Sequence, residues 1–327
     1  MKRLNNRINI TGIVVDCTFD IKENKNGDNC IAGDLIIRTD DGSEHTVSYY
    51  SNEFKRDSNE VNSFFSAYEK FKETVRTVKN CEDDETPDTV RISDGEFTIN
   101  DYKNKETGEL VNFIKVNGRW LNERNIVKSR KENIATFDVT GIIDSIREEI
   151  KNDELTGDLI ITMSIFKQKQ NKDNKNDFEV VELFPINLKV KQNIADAFKS
   201  VYHEGALASL QGELVNKTDT VEVTISHAFG GDETKIVTTT IRDYEVRTGD
   251  TPIEDVTQIE GLTPEVIEQL REKRNVKLRE IKNGVVNPNK EYNNKPSKNF
   301  FKEAAESIES EKSTDVKKND KKNPFRP

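Results

Sequence analysis

The chain is poor in the residues that staple, ligate metals or span membranes. Its three cysteines, Cys17, Cys30 and Cys81, form no C-x-x-C pair, so a disulfide framework is excluded and a reducing cytoplasm fits best. His45, His203 and His227 lie far apart, and none has a metal-ligand neighbour two to four residues on, so neither metal nor cofactor is expected. No apolar run approaches the roughly 18 residues needed to cross a bilayer. The start, Met1 to Arg7, has no apolar core and no cleavage-like site, which predicts a chain that is not secreted. Phosphate-loop, nucleophile-elbow and zinc-protease motifs are all missing, so an enzyme is not expected. Glu82-Asp83-Asp84-Glu85 reads as a solvated acidic loop, and Gly230-Gly231-Asp232 as a hairpin turn rather than a phosphate cradle. Hydrophobic residues make up only 33% of the chain, against nearly half in an ordinary globular protein, so part of it has little to bury.

Charge is plentiful but of both signs. Fifty Lys and Arg against 60 Asp and Glu leave a formal charge of −10, which excludes a broad basic field for duplex DNA. A local basic groove is still permitted, because phosphate contacts depend on where the cations sit. At 327 residues, two folded units plus extensions are expected.

The most informative feature is internal repetition. Ile10-Thr11-Gly12-Ile13-Val14 returns as Val139-Thr140-Gly141-Ile142-Ile143, and Ala32-Gly33-Asp34-Leu35-Ile36-Ile37 returns as Thr156-Gly157-Asp158-Leu159-Ile160-Ile161. Each copy continues through an apolar segment (Glu44 to Tyr50, Val180 to Phe184) and a helix-like stretch (Phe64 to Val78, Ile194 to Tyr202). Each then closes on a related block, Asp94-Gly95-Glu96-Phe97 or Gln211-Gly212-Glu213-Leu214. The order is preserved throughout, which predicts two related domains over 1–130 and 131–248, joined by the charged run Lys128 to Asn133.

Within a copy, Ile31, Gly33, Leu35 and Ile37 alternate with Asp34 and Arg38, the mark of a half-buried strand. Gly12 and Gly141 sit inside strands, where glycine marks a bulge or barrel corner. The helical stretches show spaced apolar positions, Phe64, Tyr68, Phe71 and Val75 in one copy, Ile194, Ala197, Phe198 and Val201 in the other. Three strands, a helix and two strands form the arrangement of an OB-fold, a five-stranded Greek-key barrel; the fold class is thus mainly β, with two such barrels. Residues 249–286 hold a linker and an amphipathic helix that starts at Thr263-Pro264, with Ile267, Leu270, Leu278 and Ile281 as its stripe, and stops at Asn283-Gly284. Residues 287–327, rich in Asn, Lys and Ser, read as a disordered tail, with a weak amphipathic stretch around Phe300 to Ile308.

The motifs Thr11-Gly12-Ile13-Val14, Gly33-Asp34-Leu35-Ile36 and Gly95-Glu96-Phe97, with their second copies and the tail, resemble single-stranded DNA-binding proteins of the kind phages encode. That resemblance implies a cytoplasmic protein that coats single-stranded DNA in replication or recombination, without sequence preference. It also implies partner recruitment through the chain end. In that family the tip is often acidic, whereas this one, Lys321-Lys322-Asn323-Pro324-Phe325-Arg326-Pro327, is basic. Such binding needs flat rings for the bases and cations for the phosphates. In an OB-fold they belong on strands two and three and the flanking loops. In the first copy the candidates are Tyr49, Tyr50, Phe54, Tyr102, Phe113 and Trp120, with Lys103, Lys105, Lys115 and Arg119. In the second they are Phe166, Lys167, Lys169 and Lys172. The same aromatics serve equally well in a core, and the lysines in solubility. A structural or virion component built of barrel modules, or an RNA-binding protein, is compatible with the same residues.

Overall fold

The computed structural model describes residues 4–284 apart from 25–26, 56–57, 128–131, 172–173, 175–176, 226–228, 230 and 232. The expected tail and most of the charged connection between the copies therefore lie outside the described residues.

The first copy contains β1 (Asn6–Cys17), β2 (Asp20–Glu23), β3 (Asn29–Arg38), β4 (Glu44–Asn52), α1 (Ser63–Thr74), β5 (Thr89–Lys103), β6 (Leu110–Asn117) and β7 (Ile126–Val127). β1 pairs antiparallel with β3, and β3 with β4. β4 meets β6 in parallel, Val47 opposite Val116 and Ser48 opposite Asn117. β6 runs antiparallel to β5, and β5 to β1, which closes the barrel. The second copy repeats the scheme with β8 (Ala135–Lys151), β9 (Glu154–Gln170), β10 (Phe178–Val190), α2 (Gln192–Val201), β11 (Leu207–Ile225) and β12 (Glu233–Gly249). Both barrels have the strand order of an OB-fold, with the helix between the third and fourth barrel strands. The expected fold class is therefore the observed one, and α3 (Pro264–Lys282) supplies the C-terminal helix, with Thr263 accepting from Val266 N as N-cap.

Alternation explains the strands. Ile31, Leu35 and Ile37 are at most 1% exposed, while Arg38 is exposed and Asp34 is bonded by the Ser48 hydroxyl on the outer surface. The strand glycines permit close crossing: a Cβ on Gly12 would sit 2.3 Å from the Arg38 carbonyl oxygen, and one on Gly141 2.4 Å from that of Ser164. Of the expected helix stripes, Tyr68, Phe71 and Val75 in the first copy and Phe198 in the second are buried, and the other positions shift. In α1, Phe65 is buried alongside Tyr68 and Phe71, and Phe64 lies at the edge. In α2, Ala195 and Phe198 are buried, followed by Tyr202, whereas Ala197 and Val201 face solvent.

The two barrels share one sheet and one core. β1 pairs antiparallel with β8, and the register is that of a two-fold axis: Ile8 pairs with its own repeat counterpart, Phe137. Asn6 pairs with Val139, and Ile10, the counterpart of Val139, pairs with Ala135, the counterpart of Asn6. Phe97 of the first barrel packs against Phe137 and Tyr244 of the second, with ring centroids 6.2 and 5.0 Å apart. A single apolar cluster runs from Ile8 to Val246 through both barrels.

Two long hairpins reach across the junction. β11–β12 approaches the first barrel, where Asn216 N donates to the Ser43 hydroxyl at 3.1 Å and Lys217 pairs with Asp41 at 3.2 Å. β5–β6 approaches the second barrel and α3. On the flank of the second barrel, Ile267, Leu270 and Leu262 join Ile142, Phe166, Val180 and Leu183 in a second apolar cluster.

Candidate nucleic-acid interface

Strand register decides which candidate side chains can act together. Along β5 and β6, Glu96, Thr98, Asn100 and Tyr102 share one face with their cross-strand partners Asn117, Lys115, Phe113 and Val111. The opposite face carries Phe97, Ile99, Asp101 and Lys103 and turns toward the second barrel and α3. Ser48 of β4 pairs with Asn117, so Tyr50, two residues on, points outward on the same side, next to the chain that leaves β6 for Arg119 and Trp120. Tyr50, Tyr102, Phe113, Lys115 and Arg119 thus lie along one outer surface of the first barrel, and Trp120 continues it.

These side chains are available to differing degrees. Trp120 is 54% exposed and Phe113 40%, while Tyr50, Tyr102 and Lys115 are half-buried and Arg119 is exposed. The Trp120 ring leans on Phe64, centroid to centroid 4.4 Å, and its backbone N–H donates to Asp94 Oδ2 at 2.6 Å, so both ring and backbone are held. The Arg119 carbonyl accepts from the Tyr68 hydroxyl at 2.5 Å, which fixes the backbone there. Tyr50 donates its hydroxyl to Asn52 Oδ1 at 2.6 Å. Phe54, 40% exposed, is bridged to Val61 in the loop after β4. Lys105, at the tip of the β5–β6 hairpin, is exposed. Among the described residues, Lys105, Lys115 and Arg119 have no ion pair, so their charge is not already spent on a carboxylate.

Other candidates fall elsewhere. Tyr49 is 3% exposed: it points into the barrel, packed edge-on against Phe19 and Tyr68 at 5.5 and 5.3 Å, and cannot stack on a base. Adjacent tyrosines on a strand face opposite ways, which is why Tyr49 and Tyr50 part company. Phe166 is 1% exposed under Ile267 and Leu270 of α3, so it is a packing residue and not a stacking one. Lys103 lies on the inward face and donates to the Lys282 carbonyl at 3.0 Å, satisfying the end of α3. Lys167 pairs with Glu182 at 3.7 Å; Lys169 is exposed; Lys172 lies outside the described residues.

The second barrel's outer surface differs in character. Lys189, 12% exposed, meets Glu149 at 2.8 Å, Asp243 at 3.3 Å and Asp158 at 3.4 Å. Burial would lower its pKa, but these carboxylates outweigh burial and raise it. Lys191 is bound by Asp158 and Glu245, and Arg247 by Glu213 and Glu245. Three cations are therefore answered by five carboxylates, a pattern that offers nothing to a phosphate. Of the candidates on the second copy, Phe166 is buried and Lys167 is paired, while Lys169 is exposed.

Sequence reasoning missed Phe64, the support beneath Trp120, because helical spacing assigned it to the core. It also missed Phe229, 97% exposed in the turn between β11 and β12, and Phe178, which lines a cleft between the barrels with Arg119, Gln168 and Gln170. Among the described residues no group of His, Cys, Asp and Glu is placed to hold a metal ion. No helix among them is long and apolar enough to cross a membrane.

The sequence profile of the YorF family matches residues 5–284, both barrels and α3 together. The chain belongs to the YorF family. No curated protein matches this YorF chain. Among solved structures it is similar to the single-stranded DNA binding protein from Thermus aquaticus, with 11% identity and a TM-score of 0.42 over 77% of this chain and 94% of that one. A deletion variant of that protein gives 12% identity and a TM-score of 0.40 over 78% and 98%. A replication protein A heterotrimer bound to single-stranded DNA gives 13% identity and a TM-score of 0.20 over 73% and 49%. At such values the fold of the YorF chain rests on the strand order of its own barrels.

Proposed function

We propose that this YorF family member binds single-stranded DNA, without sequence preference and without catalysis, in replication or recombination. One observation carries the reading: Tyr50, Tyr102, Phe113 and Trp120 lie along the outer side of the first barrel with Lys115 and Arg119, which make no ion pair among the described residues. Rings on one surface can each take a base, at roughly 1–3 kcal/mol per stack, whatever the sequence. Cations between the rings neutralise the phosphates that link those bases. A duplex cannot use the rings, because its bases are already stacked on one another. The cytoplasmic replication setting follows from the likeness of the repeated motifs to phage single-stranded DNA-binding proteins. The sequence from Asn287 onward is assigned the recruitment of a replication partner, through Phe300 to Ile308 and Phe325.

Competition binding among dT oligomers, duplex DNA and RNA at several salt concentrations tests the reading. Preference for dT oligomers over duplex is expected. With Lys105, Lys115 and Arg119 as the phosphate contacts, log K should fall with log[salt] at a slope of about −2, from roughly −0.7 per neutralised phosphate. Equal affinity for duplex and dT oligomers would refute it. Tighter binding to RNA would move the protein to the other nucleic acid with the surface unchanged.

A further inference from the structure

The β5–β6 hairpin outruns its own barrel. β5 leaves β1 at Gly95, and β6 touches β4 only at Val116 and Asn117. From Thr98 to Lys103 and from Leu110 to Lys115 the two strands therefore pair only with each other. A free two-stranded ribbon is marginally stable at best in water. Yet the ribbon's outer face carries Tyr102, Phe113 and Lys115, which must be held in place if they are to meet a strand in a fixed geometry.

What holds the ribbon is on its inner face. The Asp101 carboxylate is completely buried and receives both Nη atoms of Arg274, at 3.0 and 3.2 Å, and Nζ of Lys277, at 2.9 Å. Lys277 reaches on to Glu182 of β10 at 3.0 Å, and Arg271 of the same helix to Asp144 of β8 at 2.9 Å. Ile267 and Leu270 anchor the helix in the second barrel's apolar cluster. The ribbon of one barrel is thereby tied, through one helix, to the flank of the other.

From this we infer that Asp101 is a positioning residue for nucleic-acid binding: with Arg274 and Lys277 it makes α3 the backing plate of the ribbon that presents Tyr102 and Phe113. The inference rests on the single-stranded DNA reading above and assigns α3, which does not face the strand, a role in affinity. Its sign opposes simple electrostatics. Asp101→Asn removes a negative charge from an acidic protein, and long-range attraction alone predicts tighter binding to DNA. Loss of the tie predicts weaker binding, because without the Asp101 charge the buried Arg274 has no carboxylate and Lys277 keeps only Glu182.

The test uses the full chain with Asp101→Asn and Arg274→Gln, the latter leaving Lys277 on the carboxylate. Affinity for a dT oligomer is read together with thermal unfolding and with amide exchange across residues 98–115. Expected are about tenfold weaker binding for Asp101→Asn, the equivalent of one lost base stack, a smaller loss for Arg274→Gln, and faster exchange in the ribbon. A triple replacement, Asp101→Leu with Arg274→Met and Lys277→Met, should restore affinity, since apolar packing can stand in for a buried ion cluster. Equal or tighter dT binding by Asp101→Asn overturns the inference. If the wild-type chain binds no dT oligomer, the functional reading fails, and the tie is judged by exchange alone. Unchanged exchange at 98–115 in both variants then overturns it.

Discussion

Tyr49 and Tyr50 stand side by side in sequence and do opposite things, so they make a sharp test. The Tyr49 hydroxyl is buried and has no hydrogen-bond partner among the described residues. The backbone at Gly118 closes on it so tightly that a Cβ there would lie 2.4 Å from the hydroxyl oxygen. Burial pushes the phenol well above its usual pKa, so it is neutral at pH 7. Tyr49→Phe keeps the ring against Phe19 and Tyr68 and removes only the oxygen. Leaving a buried polar group unsatisfied costs about 1–3 kcal/mol, while the void left by one oxygen costs a few tenths, at roughly 24 cal/mol per Å³. The substitution should therefore stabilise the protein by about 1 kcal/mol, or about 1.5 °C in Tm for a chain of this size. Urea unfolding should show a higher midpoint at an unchanged m value. Affinity for a dT oligomer should not move. Tyr50→Ala, by contrast, should weaken dT binding by about 5- to 150-fold, the range of one lost stack. A Tyr49→Phe protein less stable by 1 kcal/mol or more would show that the hydroxyl has a partner and that the reasoning is wrong.

Other outcomes follow from the same geometry. Phe113→Ala should weaken dT binding by the factor expected for Tyr50→Ala, whereas Phe166→Ala should lower stability by about 3–5 kcal/mol, as a truncated core aromatic does; urea melts and dT titrations of both variants separate the roles. Gly12→Ala and Gly141→Ala should each fail to give a closed barrel, since the new methyl would meet a backbone carbonyl at 2.3 or 2.4 Å; circular dichroism and yield of soluble protein report it. Burial holds His45 down at about 4 against an ordinary 6.5, outweighing the opposing charge of Asp41. The unfolded chain thus binds a proton that the folded one refuses. The His45 contribution to stability should be level above pH 6.5 and fall by about 3 kcal/mol between pH 6.5 and 4, so His45→Gln should flatten that part of the profile in urea melts.

The fold was legible because barrel strands alternate and the repeats preserve their order. Ile31, Leu35 and Ile37 advertise an inner face, and Gly12 and Gly141 announce a close crossing that no other residue permits. The joining of the barrels was not legible, since the β1–β8 register depends on which edge of each barrel is left open. Tyr50, Tyr102, Phe113, Lys115, Arg119 and Trp120 were singled out by residue type and position, and the strand register puts them on the outer side of the first barrel. Tyr49 and Phe166 were misread because a period of two leaves open which face is inside, and because the helix that covers Phe166 lies about a hundred residues away in sequence. For the same reason, nothing near Lys189 in the chain announces Glu149 and Asp243 as its partners.

The most direct test of the account is the emission of Trp120, the only tryptophan in the chain, during titration with a dT oligomer. The ring stands 54% exposed at the end of the surface proposed to stack bases, so a bound base must cover it. Saturable quenching by dT, with little change on adding duplex of equal length, is predicted. Unaltered emission at a dT concentration where binding is complete by an independent assay would place the strand elsewhere and contradict the assignment of this surface.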